Sequence, residues 1–174
     1  MPIFRGSMNK KPLKADSLFL WLKIAFFVLL IISHVPDIEA SMVSFYVIET
    51  GLPDNGQVNN NSILWENAFM DVFFDAGYIV SNAPVLRLEE KPKGEILRHV
   101  NILEAKNAGI DFLLIAQLDF NPDLNVEEIS FFIYSVSSKE KLMERQIEGR
   151  QPRAAREEYD YMKSIARGLI TYIK

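Results

Sequence analysis

Three aspartates are the side chains of this chain best suited to acid–base chemistry. Asp71 and Asp75 lie four residues apart in a stretch with helical periodicity, and Asp119 ends a strongly apolar run. Hydrolysis by two carboxylates requires both groups in one cleft with separated pKa values. The sequence shows the acids but no cleft, and a charged stripe opposite an apolar helix face is ordinarily the solvated side of that helix. A carboxylate-dependent periplasmic hydrolase is therefore kept as an alternative function.

Other catalytic chemistry finds few suitable residues. The chain has no cysteine and only two histidines, His34 and His99. A Ser-His-Asp triad would have to use His99, and no Gly-x-Ser-x-Gly turn accompanies it. We expect His99 on or near the surface of a helix. The sequence therefore assigns no catalytic residue, no metal site and no cofactor.

A polar segment between a strand-like and a helix-like stretch is a possible ligand loop. It contains two glycines, Gly51 and Gly56, but neither a phosphate-binding nor a dinucleotide-binding pattern. Sheets flanked by helices often place ligands at such a position, where a strand runs into a helix amino terminus. The side chains that could hold a cation or a polar partner are Asp54, Asn55, Asn59, Asn60 and Asn61. A solvated turn is the alternative interpretation.

A group of arginines precedes and begins the last predicted helix. Positive charge at a helix start opposes the helix dipole, although Glu157 and Glu158 offset it. The group is a possible docking patch for an acidic partner or an anionic lipid headgroup, or else an ordinary charged surface loop. Its members are Arg145, Arg150, Arg153 and Arg156.

These residues are held by elements that hydrophobic periodicity predicts. We expect Ser62 to cap the first helix and glycines to end the first two helices. Residues 82–94 are predicted to form a charged connection. The predicted strands are 44–49, 78–81, 112–120, 128–137 and 141–148, and the predicted helices are 63–76, 95–108 and 154–173.

The predicted order is β-α-β-α-β-β-β-α, which indicates an α/β fold, that is, an α+β sandwich. Its sheet would be mixed, with helices packed on it. The near-continuous apolar run of residues 112–120 is typical of a central strand covered on both faces. Residues 141–148 alternate weakly and are charged, as suits the edge of a sheet.

The first forty residues resemble an export signal. Four basic residues and then Lys23 precede nine unbroken apolar residues, 24–32, and Ala40 offers the small residue of a cleavage site. We expect residues 1–40 to be a signal peptide, or else an uncleaved amino-terminal anchor. Residues 41–174 would then form a single domain in the periplasm or on the outer face of the inner membrane. That part has fourteen basic and twenty acidic residues, a formal charge of −6 that disfavours nucleic acid as a partner.

Three stretches of the predicted domain resemble a family of bacterial envelope modules. They are the strand, polar loop and helix of residues 47–76, the helix-glycine-strand phrase of residues 105–114, and the hairpin of residues 133–142. The family includes the amino-terminal domain of the translocation protein TolB, the curli-secretion protein CsgG and the lipoprotein activators of penicillin-binding proteins. The resemblance implies a non-catalytic role in binding envelope proteins or in assembling complexes. Since this chain has no cysteine, lipid anchoring is not carried over.

These observations predict an exported, non-catalytic envelope protein that binds proteins or assists assembly. A structural subunit of a homo-oligomer, formed by adding strands at the edge of the hairpin, is a second alternative beside the hydrolase. The partner would be one or more envelope proteins. A membrane would be a partner only if the leader stays attached.

Overall fold

A computed structural model describes residue 23 and residues 40–52, 57–150 and 154–173. Almost all of the predicted leader therefore lies outside the described residues. Cleavage after Ala40 stays a prediction. None of the helices in the described ranges is both long enough and apolar enough to cross a bilayer.

The described part of the chain contains six strands, three α-helices and two short 3-10 helices. Residues that are β-branched or aromatic dominate the strands at 42–50 and 126–135, and the first helix begins directly after the polar loop. The strands are β1 (Met42–Thr50), β2 (Ile79–Asn82), β3 (Leu86–Leu88), β4 (Phe112–Phe120), β5 (Val126–Ser135) and β6 (Lys141–Glu148). The α-helices are α1 (Asn60–Asp75), α2 (Ile102–Asn107) and α3 (Ala155–Leu169), and short 3-10 helices span Ile96–His99 and Ile170–Tyr172.

All six strands form one mixed sheet. Its order is β2-β1-β4-β5-β6, with β3 pairing β1 beyond the end of β2. Strands β2, β3 and β4 run parallel to β1, whereas β5 and β6 continue as antiparallel neighbours. The carboxyl ends of β1, β3 and β4 therefore meet at the same end of the sheet.

One face of the sheet packs against α1 and α3. Aromatic residues form the centre of this core, where the ring of Phe69 stacks on Phe45 at 4.8 Å and on Phe131 at 5.5 Å between centroids. Trp65, one turn earlier on α1, is also fully buried and contacts Phe131 at 5.3 Å. Burial of several large rings supplies much of the hydrophobic free energy of a domain of this size.

The opposite face is covered by the first 3-10 helix and α2. Ile96 and Ala105 from these segments are buried against Ile48 of β1 and Leu113 and Ile115 of β4. The central strands are thus covered on both faces, which explains the unbroken apolar character of residues 112–120.

The predicted fold class is confirmed, as are the central position of 112–120 and the edge position of 141–148. The predicted connection 82–94 was wrong in one part, because β3 forms within it. A three-residue strand has too weak a pattern to be recognised, yet Arg87 pairs with Glu49 in register with β1. The predicted helix 95–108 is two shorter helices, since Val100 is extended and Asn101 caps α2.

The helix start at Ser62 was also predicted wrongly. The cap of α1 is Asn59, whose side-chain oxygen accepts the backbone N–H of Asn61 at 2.9 Å. Ser62 lies inside the helix and is fully buried. Its hydroxyl donates a hydrogen bond to Glu49, at the carboxyl end of β1.

Candidate functional site

Ionisable and polar side chains collect where the parallel strands β1, β3 and β4 end. In α/β sheets this end is the usual position for ligands, so it is the first place to look for chemistry. Two carboxylates are buried there, Glu49 of β1 and Asp119 of β4. Their side chains lie on opposite faces of the sheet, because Asp119 pairs in register with Thr50, the residue after Glu49.

Glu49 is the most completely buried charged residue described, with 0% of its surface exposed. Arg87 donates two hydrogen bonds to its Oε2, from Nε at 3.0 Å and from Nη2 at 2.7 Å. The Ser62 hydroxyl and the backbone N–H of Asn59 donate to Oε1 at 2.6 and 2.9 Å. Both carboxylate oxygens are thus satisfied, and the negative charge lies favourably at the amino terminus of α1. This network ties β1, β3 and α1 together.

Asp119 forms a second network on the other face. Thr50 Oγ1 and Gln117 Nε2 donate to its Oδ1, the latter at 2.9 Å. Lys91 Nζ lies 2.6 Å from Asp119 Oδ2 and 2.7 Å from Glu128 Oε1. The hydrogen bonds to these two carboxylates raise the pKa of Lys91 above its usual value. The lysine therefore stays charged and holds the segment after β3 against β4 and β5.

The predicted ligand loop is only partly described. Asp54 and Asn55 lie outside the described residues, so their part in the prediction is untouched. Asn59 acts as the helix cap, Asn60 is exposed and Asn61 is half-buried. The described members thus organise the start of α1, and a ligand role for the loop stays a prediction.

The three aspartates considered for hydrolysis are not brought together. Asp71 accepts hydrogen bonds from the Tyr159 hydroxyl at 2.8 Å and from Lys163 Nζ at 3.2 Å, both on α3. These two bonds lower the pKa of Asp71, while burial and the bond to Asp71 raise the pKa of Tyr159 to about 12. Asp75 is exposed at the end of α1. Asp119, by contrast, is held by residues of β1, β4 and the segment after β3 on the opposite face of the sheet.

The predicted arginine patch is divided among different roles. Arg150 stacks over the Tyr161 ring at 3.5 Å from its centroid and donates two hydrogen bonds to Glu158, at 3.3 and 3.1 Å. It is therefore engaged within the molecule. Arg145 on β6 and Arg156 on α3 are exposed, and Arg153 lies outside the described residues. A docking role for this patch stays a prediction.

His99 is exposed in the first 3-10 helix, in agreement with its predicted surface position. It lines a cleft of about 390 Å³ between β1, β2 and α2, together with Tyr46 and Glu104. Burial raises the pKa of Tyr46 despite its hydrogen bond from Ser44. Within the described ranges, no three His, Cys, Asp or Glu side chains are close enough to hold a metal ion.

The outer face of α1 carries apolar residues that the sequence interpretation overlooked. Ile63 and Phe74 are 42% and 68% exposed, and the half-buried Met70 lies between them at helical spacing. We call these three residues the apolar stripe (Ile63, Met70, Phe74). The exposed Asn67 lies between Ile63 and Met70 on the same face. The signal was present in the sequence as apolar residues seven and four positions apart. It was missed because the stronger aromatic periodicity of the buried face lies in the same helix.

A family model described as "Uncharacterised protein" matches residues 43–135, more than half of the 174 residues. The chain belongs to that family. The match runs from β1 to the end of β5, so it contains both ion-pair networks around Glu49 and Asp119. No curated protein sequence matches the chain.

Several solved structures have a similar fold. TolB from Acinetobacter baumannii is 11% identical with a TM-score of 0.48, over 78% of this chain and 29% of that one. A PelC dodecamer from Paraburkholderia phytofirmans is 14% identical with a TM-score of 0.44, over 76% and 87% of the two chains. The LpoB C-terminal domain from Salmonella enterica is 15% identical with a TM-score of 0.41, over 72% and 93%.

This chain therefore spans less than a third of the TolB structure that it matches. The resemblance to TolB inferred from the sequence reappears at this low level of similarity, and the one to CsgG stays a prediction. At these identities and scores, the likeness bears on neither the activity nor the partners of this chain.

Proposed function

We propose that this chain is an exported, non-catalytic module of the cell envelope that acts by binding another protein. The leader supports the location, because a basic start, nine apolar residues and Ala40 match an export signal. The periplasm or the outer face of the inner membrane would be its place of action. Contact with the membrane itself would require that the leader stays attached.

The observation that carries the binding role is the apolar stripe on α1. Phe74 projects 68% of its surface into solvent and Ile63 42%, although the opposite face of the same helix is fully buried. Large apolar side chains aligned on an exposed helix face are typical of surfaces that contact proteins. Burial of Phe74 in a partner would supply an anchor of the kind that dominates interface energetics.

The ionisable groups at the strand ends support a structural role rather than catalysis. Glu49 and Asp119 each accept several hydrogen bonds from neighbouring segments, and their cations hold those segments in place. A catalytic carboxylate instead needs an oxygen that can reach a substrate. The hydrolase alternative would require such a group elsewhere.

The proposal is tested by photocrosslinking in a bacterial host that exports the full chain. A benzophenone amino acid replaces Asn67, in the middle of the apolar stripe, and in a second strain Asn107 on α2, at the opposite face of the sheet. We expect a crosslinked product with a second protein from position 67. A Phe74→Ser change should reduce its yield about fivefold, in line with the loss of one interface anchor.

A matched control is Leu103→Ser on α2, because Leu103 is 69% exposed and Phe74 is 68% exposed. Leu103→Ser should leave the product unchanged, and neither substitution should alter the free energy of unfolding by more than about 0.5 kcal/mol. A product of twice the chain's own mass would replace the proposal by the homo-oligomer alternative. Absence of any product from both positions, with hydrolytic turnover by the purified chain, would refute it.

A further inference from the structure

The face of the sheet opposite α1 and α3 is incompletely covered. The first 3-10 helix and α2 pack on β1, β4 and part of β5, but no residue of β6 belongs to that core. Over β5 and β6 the sheet forms the floor of an open cleft of about 440 Å³. We call it the acidic cleft (Glu95, Gln117, Phe132, Tyr134, Lys141, Glu144).

The floor of the acidic cleft is aromatic and its sides are acidic. Phe132 and Tyr134 of β5 stack on this face with their ring centroids 6.4 Å apart, and Phe132 is half-buried with part of its ring open to the cleft. Glu95, before the first 3-10 helix, and Glu144 of β6 line opposite sides. Burial raises the pKa of the Tyr134 hydroxyl, and the negative charges of Glu95 and Glu144 raise it further, to about 12.

A row of carboxylates crosses the sheet beside this cleft. Asp119 of β4 lies opposite Glu128 of β5, and Glu128 lies opposite Glu148 of β6, so all three point to the same face. Lys91 bridges the first two acids. Like charges directly opposite each other destabilise a sheet unless a cation lies between them, so Glu128 and Glu148 leave an excess of negative charge at the edge.

Cations on this face do not balance the acids. Lys141 pairs with Glu144 at 2.5 Å, and Lys91 pairs with Asp119 and Glu128. Glu95 and Glu148 are exposed and have no ion-pair partner among the described residues. An incoming cation would therefore meet Glu95 on one side of the Phe132 ring and, on the other, Glu144 paired with Lys141.

We propose that the acidic cleft binds an arginine- or lysine-bearing segment of the protein partner. A guanidinium or ammonium group laid on the Phe132 ring gains a cation–π contact, and Glu95 and Glu144 accept its hydrogen bonds. The Gln117 side chain already donates to Asp119, so its carbonyl oxygen is the group left to accept a donor from the segment. This inference rests on the proposed function and identifies the chemistry of its partner.

The test measures peptide binding to the full chain kept in a neutral detergent. The probe is a fluorescein-labelled octapeptide of alternating Arg and Ser, and its counterpart alternates Glu and Ser. Fluorescence anisotropy should show binding of the Arg peptide that weakens as salt rises, and no binding of the Glu peptide.

Two substitutions separate the cleft from general charge attraction. Glu95→Gln should weaken binding about three- to fivefold, as expected for an exposed ion pair. Phe132→Leu keeps every charge and should weaken binding about two- to fivefold through the lost cation–π contact. Asp160→Asn is the matched control, because Asp160 is an exposed acid on α3, on the other face of the sheet. It should leave the affinity unchanged.

Equal affinity of the wild type, Glu95→Gln and Phe132→Leu would overturn the inference, as would an equal loss in Asp160→Asn. The photocrosslinking at position 67 distinguishes the two proposals. A partner that still crosslinks at Asn67 while the Arg peptide fails to bind would remove the cleft and leave the binding function. Loss of both signals would remove both.

Discussion

At the scale of single residues, two cations from one short region of the chain form ion pairs with two buried carboxylates. Arg87 lies in β3 and Lys91 lies three residues after the end of that strand, yet they pair with Glu49 and Asp119 on opposite faces of the sheet. The segment around β3 is thereby held to both faces. A buried charge is costly when left alone, so each of these pairs determines where its segment can lie.

The Glu49–Arg87 pair gives the sharpest prediction at this scale. Glu49→Gln removes the buried carboxylate charge that Arg87, 16% exposed, pairs with at 2.7 Å, and it should lower the free energy of unfolding by about 3 kcal/mol. The double change Glu49→Gln with Arg87→Met should recover a large part of that loss, because it removes the guanidinium charge together with the carboxylate charge that it paired with. Urea unfolding of both variants measures this, with Asp160→Asn as the exposed-acid control. A double variant less stable than Glu49→Gln alone would contradict the explanation.

At the scale of elements, α1 depends on contacts at its amino terminus. Asn59 caps the helix and its N–H also donates to Glu49, while Ser62 in the first turn donates to the same carboxylate. The helix start, the carboxyl end of β1 and Arg87 thus form one polar unit. Among the described asparagines of the predicted ligand loop, Asn59 takes part through its side chain and its N–H, and Asn61 takes part through its N–H.

Substitutions at neighbouring asparagines separate capping from solvation. Asn59→Ala should lower the free energy of unfolding by about 1 kcal/mol. Asn59→Ser should leave that free energy nearly unchanged, because serine is also a good capping residue. Asn60→Ala is the matched control, since Asn60 is exposed within the helix and alanine is a better helix former. Thermal unfolding followed by circular dichroism measures all three. Equal losses at positions 59 and 60 would show that neither residue caps the helix.

At the scale of the whole molecule, the two edges of the sheet differ. The β2 edge is short and is followed by Pro84, whereas β6 offers eight residues. Two β6 strands related by a two-fold axis pair antiparallel with residues of the same parity opposite each other. A register centred on Glu144 brings Glu144 opposite the same residue of the second copy, and a register centred on Arg145 does the same for Arg145. A register centred on Gln146 brings Glu144 opposite Glu148.

Every central register of this self-pairing therefore opposes like charges. We expect residues 41–174 to remain monomeric at the β6 edge in sedimentation equilibrium. The double change Glu144→Gln with Arg145→Gln should increase self-association, because it removes the repulsion that protects the edge. A wild-type dimer that the substitution Gln146→Pro dissociates would contradict this expectation and favour the homo-oligomer alternative.

Much of this fold follows from local patterns. Residues 112–120 were placed as the central strand, and 141–148 as the edge, because burial on two faces and exposure at an edge leave different periodicities. The failures differ in cause. β3 depends on pairing with β1, a partner distant in sequence that no window of neighbouring residues contains. The cap at Asn59 is a local hydrogen bond to Asn61, and it was missed because Ser62 is also a good capping residue.

The sequence by itself determined the mixed α/β class and the acidity of residues 41–174, and it predicts the export signal, because these depend on composition and on short-range periodicity. Only the tertiary structure decided which charges matter. It buried Glu49 on Arg87, separated Asp71 from Asp119 by a whole sheet, and left Phe132 open between Glu95 and Glu144. Such decisions require long-range pairing, since the strand register alone determines which side chains share a face and which acids find a cation.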